Sequence, residues 1–310
     1  MRRSRLKWVI QIAIGIGIIL AIYFKLRVYD YPLYVDLRCV LLAALSFFLL
    51  NVVLSFRLYK ILTVLGCRTS YLRSLESHLG GMLLSDFTPG KSGYLTTPLI
   101  LKRIAGCNTK LGMASILVPQ AIEFLIKILG ALLALILLYT SSTHFKDLLL
   151  VAGIGIAMLF AISVIILVAS WSEKIRVPGF LKRFEVVFQS YFEHSVKTKD
   201  HILLLSSISL IGWFITAVQW YFIGEALNID LSFIHYFLLQ PLVSALMFVP
   251  LTPAGIGIME SGAIAAFFLL GVDASPAFFF SILTRASMIL GDMGGVISLT
   301  KAPLNKNEFK

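Results

Sequence analysis

Long apolar runs separated by short basic segments organise this chain. A bilayer-crossing helix needs about 20 mostly apolar residues, and the runs predict full spans near residues 8–24, 38–56, 111–139, 148–170, 201–222 and 277–300. Two further apolar stretches, 72–103 and 232–271, are interrupted. The first is broken by Thr88, Pro89, Gly90, Lys91, Ser92 and Gly93; the second by Thr252, Pro253, Ala254, Gly255, Ile256 and Gly257. Each break has Thr-Pro, a small residue, and glycine at the sixth place. Proline and glycine free backbone groups that hydrocarbon cannot satisfy, so such breaks are buried in protein or line a wet cavity. Interrupted segments at matching positions of two halves are also the sequence pointer to a transporter's substrate site. Two unrelated proline kinks in ordinary helices are the plainer alternative.

Charge orients the spans. Segments 1–7, 57–73, 102–110, 173–199 and 301–310 carry 20 of the 27 Lys and Arg residues, whereas the intervening loops carry Lys25, Arg27, Arg38 and Lys146. The positive-inside rule therefore puts both termini in the cytoplasm of a multi-pass protein of the cytoplasmic (plasma) membrane. If each broken segment is a re-entrant hairpin, the first enters from the cytoplasm and the second from outside. Residues 72–139 and 232–300 are then inverted repeats within a single membrane domain, 1–310. The same charge bias holds for pairs of tilted spans. Ser-Ile-Leu recurs in the spans that follow the two breaks, at 115–117 and 281–283.

Segment 173–199 differs from the rest. Phe180, Phe184, Val187, Phe188, Tyr191 and Phe192 recur at helical spacing, with Lys182, Arg183, Glu185, Gln189 and Glu193 on the other face. It reads as a cytoplasmic amphipathic linker, lying at the interface or packed as a connector. The run after Arg2, Arg3 and Arg5 has no small-residue cleavage site and reads as an uncleaved first span.

Composition closes off other classes. With 58% hydrophobic residues, 14% charged and a mean hydropathy of +0.90, the chain is an all-α polytopic membrane protein with about six full spans plus two Pro/Gly-broken hairpins. Short alternating strands of a membrane barrel are not visible. The net charge of +11 follows from topology, not from nucleic-acid binding. Cys39, Cys67 and Cys107 are isolated and odd in number, and the five histidines are scattered, so neither a disulfide framework, a metal site nor a cofactor is expected.

Ionisable residues within the bilayer are costly and face a bundle interior or a cavity. Here they are Asp86, Lys91, Glu123, Lys127, Glu260, Arg285 and Asp292. Asp86 and Lys91 flank the first break and Glu260 the second. A break exposes the amides of its second half-helix, so Lys91 and Ser92 together with those amides suit a phosphate. Arg285 suits the same oxyanion, or pairs with Glu260 or Asp292. Glu123 and Lys127, four apart, form an internal ion pair or present Glu123 to a substrate or proton. Gly130, Gly291, Gly294 and Gly295 read as close helix-packing positions.

The run LTPAGIGIMESG (251–262), followed by Leu-Gly-Val at 270–272 and SILTR ending at Arg285, resembles the flippase-like membrane family of lysylphosphatidylglycerol synthases. That family includes the membrane half of multiple peptide resistance factors. SDFTPGKSGYLTTPLILKRIAG (85–106) fits its first polar loop, as does the region around Glu123, and the likeness covers about residues 10–300. The resemblance implies re-entrant helices and movement of a lipid headgroup across the bilayer. Lys91-Ser92-Gly93-Tyr94 and Pro119-Gln120 depart from the family pattern, at positions that bear on which headgroup is carried. The synthases' aminoacyl-transferase domain is not in these 310 residues, so translocation without lipid aminoacylation is expected.

The expected function is that of a lipid flippase or translocase for a phospholipid or lipid-linked headgroup. The alternatives are an ion-coupled secondary transporter of a small solute, and a non-catalytic membrane partner of a glycosyltransferase or lipid-modifying enzyme. With no nucleophile–base pair in view, the chain is not expected to be an enzyme.

Overall fold

A computed structural model describes residues 16–25, 34–88, 90–141, scattered positions between 153 and 164, 197–245, 252 and 255–302. Pro89, Pro253, Ala254, most of the span expected at 148–170 and nearly all of the linker at 173–199 lie outside the described residues. Every regular element among the described residues is helical. They are α1 (Ile16–Lys25), α2 (Leu37–Val64), α3 (Tyr71–Ser85), α4 (Thr97–Ala105), α5 (Thr109–Ser141), α6 (Ile202–Ala226), α7 (Phe233–Ala245), α8 (Ile258–Phe268), α9 (Ala274–Asp292) and α10 (Gly295–Lys301). Four described helices are long and apolar enough to cross a bilayer: Leu37–Val64, Thr109–Ile136, Lys199–Ala226 and Ala274–Asp292. The protein is an all-α polytopic membrane protein.

Local chemistry sets the ends. Asp36 caps α2, accepting the Arg38 amide at 2.8 Å, and Ser70 caps α3, accepting the Arg73 amide at 3.4 Å. Pro98 opens α4, and Gly106, at φ 69°, ends it. Two boundaries differ from expectation. α2 runs on to Val64, not residue 56, because Arg57 finds partners inside the fold. The last span turns at Met293 and Gly294, dividing into α9 and α10.

α2 packs against α6 and α9, α5 and α6 against α7, α8 against α9, and α10 against α3. Aromatic side chains fill the centre. Phe280 of α9 meets Phe267 (4.6 Å between ring centroids), Trp220 (5.1 Å) and Tyr236 (5.9 Å), joining α6, α7, α8 and α9 by offset and edge contacts. Small residues let backbones touch. A side chain at Gly291 would strike Phe47 and the Phe48 amide of α2, one at Gly295 the Leu79 carbonyl of α3, and one at Gly130 the Trp213 and Pro241 rings.

The first broken segment is α3, turns at Asp86–Phe87 and Gly90–Lys91, a 3-10 turn at Ser92–Thr96, and α4. Its two ends meet: Cys67, just before α3, and Cys107, just after α4, form a disulfide with Cα atoms 5.8 Å apart. This corrects the expectation of no disulfide. The folding back of α3 onto α4 joins cysteines 40 residues apart, which spacing alone does not reveal. In the second segment α7 precedes the break, and α8 starts after left-handed Gly255 (φ 71°) and Gly257 (φ 84°).

Candidate functional site

A cavity of about 300 Å³ lies where α2, α3, α5, α6, α7, α8, α9 and the tip of the first broken segment converge. Phe47, Leu50, Leu54, Met82, Trp220, Met259 and Met288 give it apolar walls, and Arg57, Lys91, Glu123 and Lys127 give it charge. Both broken segments contribute: Gly90, Lys91 and Ser92 from the first, Gln240, Ser244 and Met259 from the second. Gln120 and Gln240 each adjoin an intrahelical proline, Pro119 in α5 and Pro241 in α7.

Glu123 holds two cations. Lys127 Nζ, one turn along α5, lies 2.8 Å from Oε1. Arg57 Nη2 approaches Oε2 at 2.9 Å, off the line of its N–H bonds, so the contact is an ion pair without an aligned hydrogen bond. Arg57 also donates to Ser209 Oγ at 2.9 Å. Arg57, the first residue of the inner segment expected at 57–73, lies instead within α2. A signal was present, since Arg57 continues the helical face of Phe47, Leu50 and Leu54 at spacings of three and four.

The first tip is held by Thr88. Its hydroxyl accepts the Gly93 amide at 2.6 Å and donates to the Leu84 carbonyl at 3.2 Å. A side chain at Gly93 would run into the Leu84 carbonyl and the Ser85 amide. Lys91 adopts a left-handed backbone, φ 54°, uncommon for a non-glycine residue. Its ammonium lies 3.8 Å from Asp86 Oδ1. Of the amides expected to cradle a phosphate, those of Gly93 and Tyr94 are already engaged by the Thr88 hydroxyl and the Lys91 carbonyl. The tip offers Lys91 and Ser92 side chains to the cavity.

At the second break Glu260 is fully buried. Its Oε2 accepts the Gly257 amide at 2.6 Å, and its Oε1 accepts from Arg285. Arg285 contacts the sulfur of Met259, a residue of the cavity wall, at 3.8 Å. Thr252 is buried at the same break.

Behind Lys91 runs a polar chain that sequence reasoning missed. Asn51 Nδ2 donates to Asp292 Oδ1 at 2.6 Å, which leaves Asn51 Oδ1 to accept from His78 Nε2 at 3.3 Å. His78 Nδ1 lies 3.0 Å from the Tyr94 hydroxyl, in hydrogen-bond contact. No group of three or more His, Cys, Asp and Glu able to hold a metal occurs among the described residues.

Comparison with known proteins agrees with this architecture. The chain matches the family described as the lysylphosphatidylglycerol synthase TM region over residues 8–291. A UPF0104 membrane protein of Methanocaldococcus jannaschii is 26% identical over 205 residues, 66% of this chain and 87% of the relative. A UPF0104 membrane protein of Pyrococcus horikoshii is 25% identical over 299 residues, 87% of this chain and 89% of the relative. No solved structure matches the chain. With nearly its whole length matched, this chain belongs to the family of the lysylphosphatidylglycerol synthase transmembrane region.

Proposed function

We propose that the protein is a flippase or translocase of the cytoplasmic membrane that carries the anionic headgroup of a phospholipid or lipid-linked substrate, and that it is not an enzyme. One observation carries this reading: Arg57, Lys91 and Lys127 face one small cavity in which Glu123 is the single lining carboxylate. A phosphodiester answers that surplus of positive charge, Arg57 offering a planar donor fork and Lys91 and Lys127 point charges. The apolar and methionine-rich walls suit the glycerol and first methylenes of a lipid. Gln219 Oε1 and Gln240 Oε1, both buried without a donor, can accept from headgroup hydroxyl or ammonium groups.

In this reading the broken segments are re-entrant, 72–139 and 232–300 are inverted repeats, and both termini are cytoplasmic. Closure of the first segment's ends at Cys67–Cys107 supports re-entrance. With Arg57 moved into the bundle, 20 inner basic residues become 19 of 27, so the charge bias persists. An enzyme that makes or uses the carried lipid is the natural partner.

The cavity volume also favours one second reading. Ligand sites begin near 300 Å³, so a small organic anion could be taken whole. The test is a full-length reconstitution with headgroup-fluorescent phosphatidylglycerol and a membrane-impermeant quencher. Quenching beyond the outer-leaflet fraction, dependent on protein and lost in Lys91→Ala, supports the flippase. Equal quenching in protein-free and protein-containing vesicles for several anionic lipids, with uptake of a soluble phosphate ester, replaces it with the solute transporter.

A further inference from the structure

We propose that Asp86 and Asp292 share one proton, and that this proton is the ion whose movement drives headgroup transport. The coupling half rests on the translocation reading above; the shared proton does not.

The two carboxyls come from different halves of the fold. Asp86 ends α3 beside the first break, and Asp292 is the last residue of α9. Their side chains lie within hydrogen-bonding reach of each other. Asp86 is 8% exposed and Asp292 0%. One oxygen of each is engaged: Asp292 Oδ1 by Asn51 Nδ2 at 2.6 Å, and Asp86 Oδ1 by Lys91 Nζ at 3.8 Å. The other oxygen of each, Oδ2, is buried with no donor. Two adjacent buried carboxylates beside a single lysine repel strongly when both are ionised. One proton supplies the missing donor: the O–H of one carboxyl donates to the Oδ2 of the other.

A metal ion fits poorly. Hard cations draw about six to eight oxygen ligands in protein sites, whereas the two Oδ2 atoms are the unengaged oxygens of this pair, and the Lys91 ammonium already stands beside it.

Lys91 joins the dyad to the cavity, for it touches Asp86 and lines the cavity wall. The other groups around the dyad hold fixed roles. Asn51 of α2 is hydrogen-bonded to Asp292, and His78 of α3 lies behind it against Asn51 and Tyr94. Across the cavity, Arg57 of α2 and Lys127 of α5 share Glu123, and Arg285 of α9 is tied to Glu260. With the dyad doubly ionised, the charges of Arg57, Lys91 and Lys127 are balanced by Glu123, Asp86 and Asp292. Adding one proton leaves a surplus of one positive charge at the cavity, which a phosphodiester answers. Proton and monoanionic headgroup therefore favour each other's binding, and linkage makes that coupling reciprocal. The pair moves without net charge, the proton passing from water to Oδ2 on one side and back to water on the other.

Two measurements on the full-length protein test this. The first is infrared difference spectroscopy of the wild type in lipid. A protonated-carboxyl C=O band is expected at neutral pH, shifting in deuterated water and absent from Asp86→Asn and Asp292→Asn. Absence of that band in the wild type overturns the shared proton without reliance on any variant's folding. The second follows headgroup-fluorescent phosphatidylglycerol in proteoliposomes with the membrane potential clamped. At one proton per headgroup, a one-unit pH gradient sustains about a tenfold enrichment in the leaflet facing the alkaline side. Asp292→Asn, fixed in the neutral form, should lose that enrichment. Transport driven by a sodium gradient and indifferent to pH overturns the coupling. If the band is present and both substitutions remove it while no lipid crosses under any gradient, the proton site stands and the translocation reading fails.

Discussion

Arg285 directs two donors at one oxygen of Glu260, Nε at 3.1 Å and Nη2 at 2.9 Å, while the other oxygen of Glu260 takes the Gly257 amide. The carboxylate thus ties α9 to the first turn of α8 and caps that turn. Removing one partner of a buried pair leaves an uncompensated charge and costs roughly 3–5 kcal/mol. Arg285→Gln is therefore expected to lower the thermal stability of the detergent-purified protein, and Glu260→Gln in the same chain to restore much of it. Normal stability in Arg285→Gln with abolished transport would return Arg285 to the headgroup.

Arg57 should behave in the opposite way. In Arg57→Leu, Glu123 keeps Lys127 as its counter-ion, so the melting temperature should fall little. The cavity loses one cation and one charge-assisted contact, worth about 1.5–3 kcal/mol. Transport of the anionic probe is expected to drop at least about tenfold, a factor that corresponds to roughly 1.4 kcal/mol. A rate equal to wild type would remove Arg57 from the site.

The first tip has no room for a methyl group. Gly93→Ala should displace the tip from Leu84 and Ser85, lowering stability and transport together. Thr88→Val keeps the shape but leaves the Gly93 amide without its acceptor, at a cost of about 1–3 kcal/mol. Thermal unfolding of the two variants beside Ser92→Ala, which should unfold like wild type, checks both.

Thiol labelling without reductant should modify Cys39 alone, and all three cysteines after reduction and unfolding. Three reactive thiols in the untreated, unfolded protein would show that the loops flanking the first hairpin are not joined.

What could be read from the chain beforehand was whatever announces itself locally. Thr88, Gly90, Gly255 and Gly257 interrupt apolar sequence, and Asp86, Lys91, Glu123, Lys127, Glu260, Arg285 and Asp292 are charges where charge is costly. Arg57 escaped because a span is naturally ended at its first charge, and this charge lies inside the helix. Asn51, His78, Gln219 and Gln240 escaped because neutral polar residues weakly perturb hydropathy. Contacts between distant positions left no trace in a single chain: Asn51 meets Asp292 across 241 residues. The same limit applied to the amides at the first tip, whose partners depend on how the turn closes.

The Cys67–Cys107 bond makes the first hairpin a closed ring of chain. Its two legs cannot part at the base, so α3 and α4 stay neighbours on either side of the tip that carries Lys91. Among the described residues the second break has no such tie. If the protein translocates as proposed, any rearrangement that exposes the cavity to opposite sides must leave this ring closed and be taken up outside it.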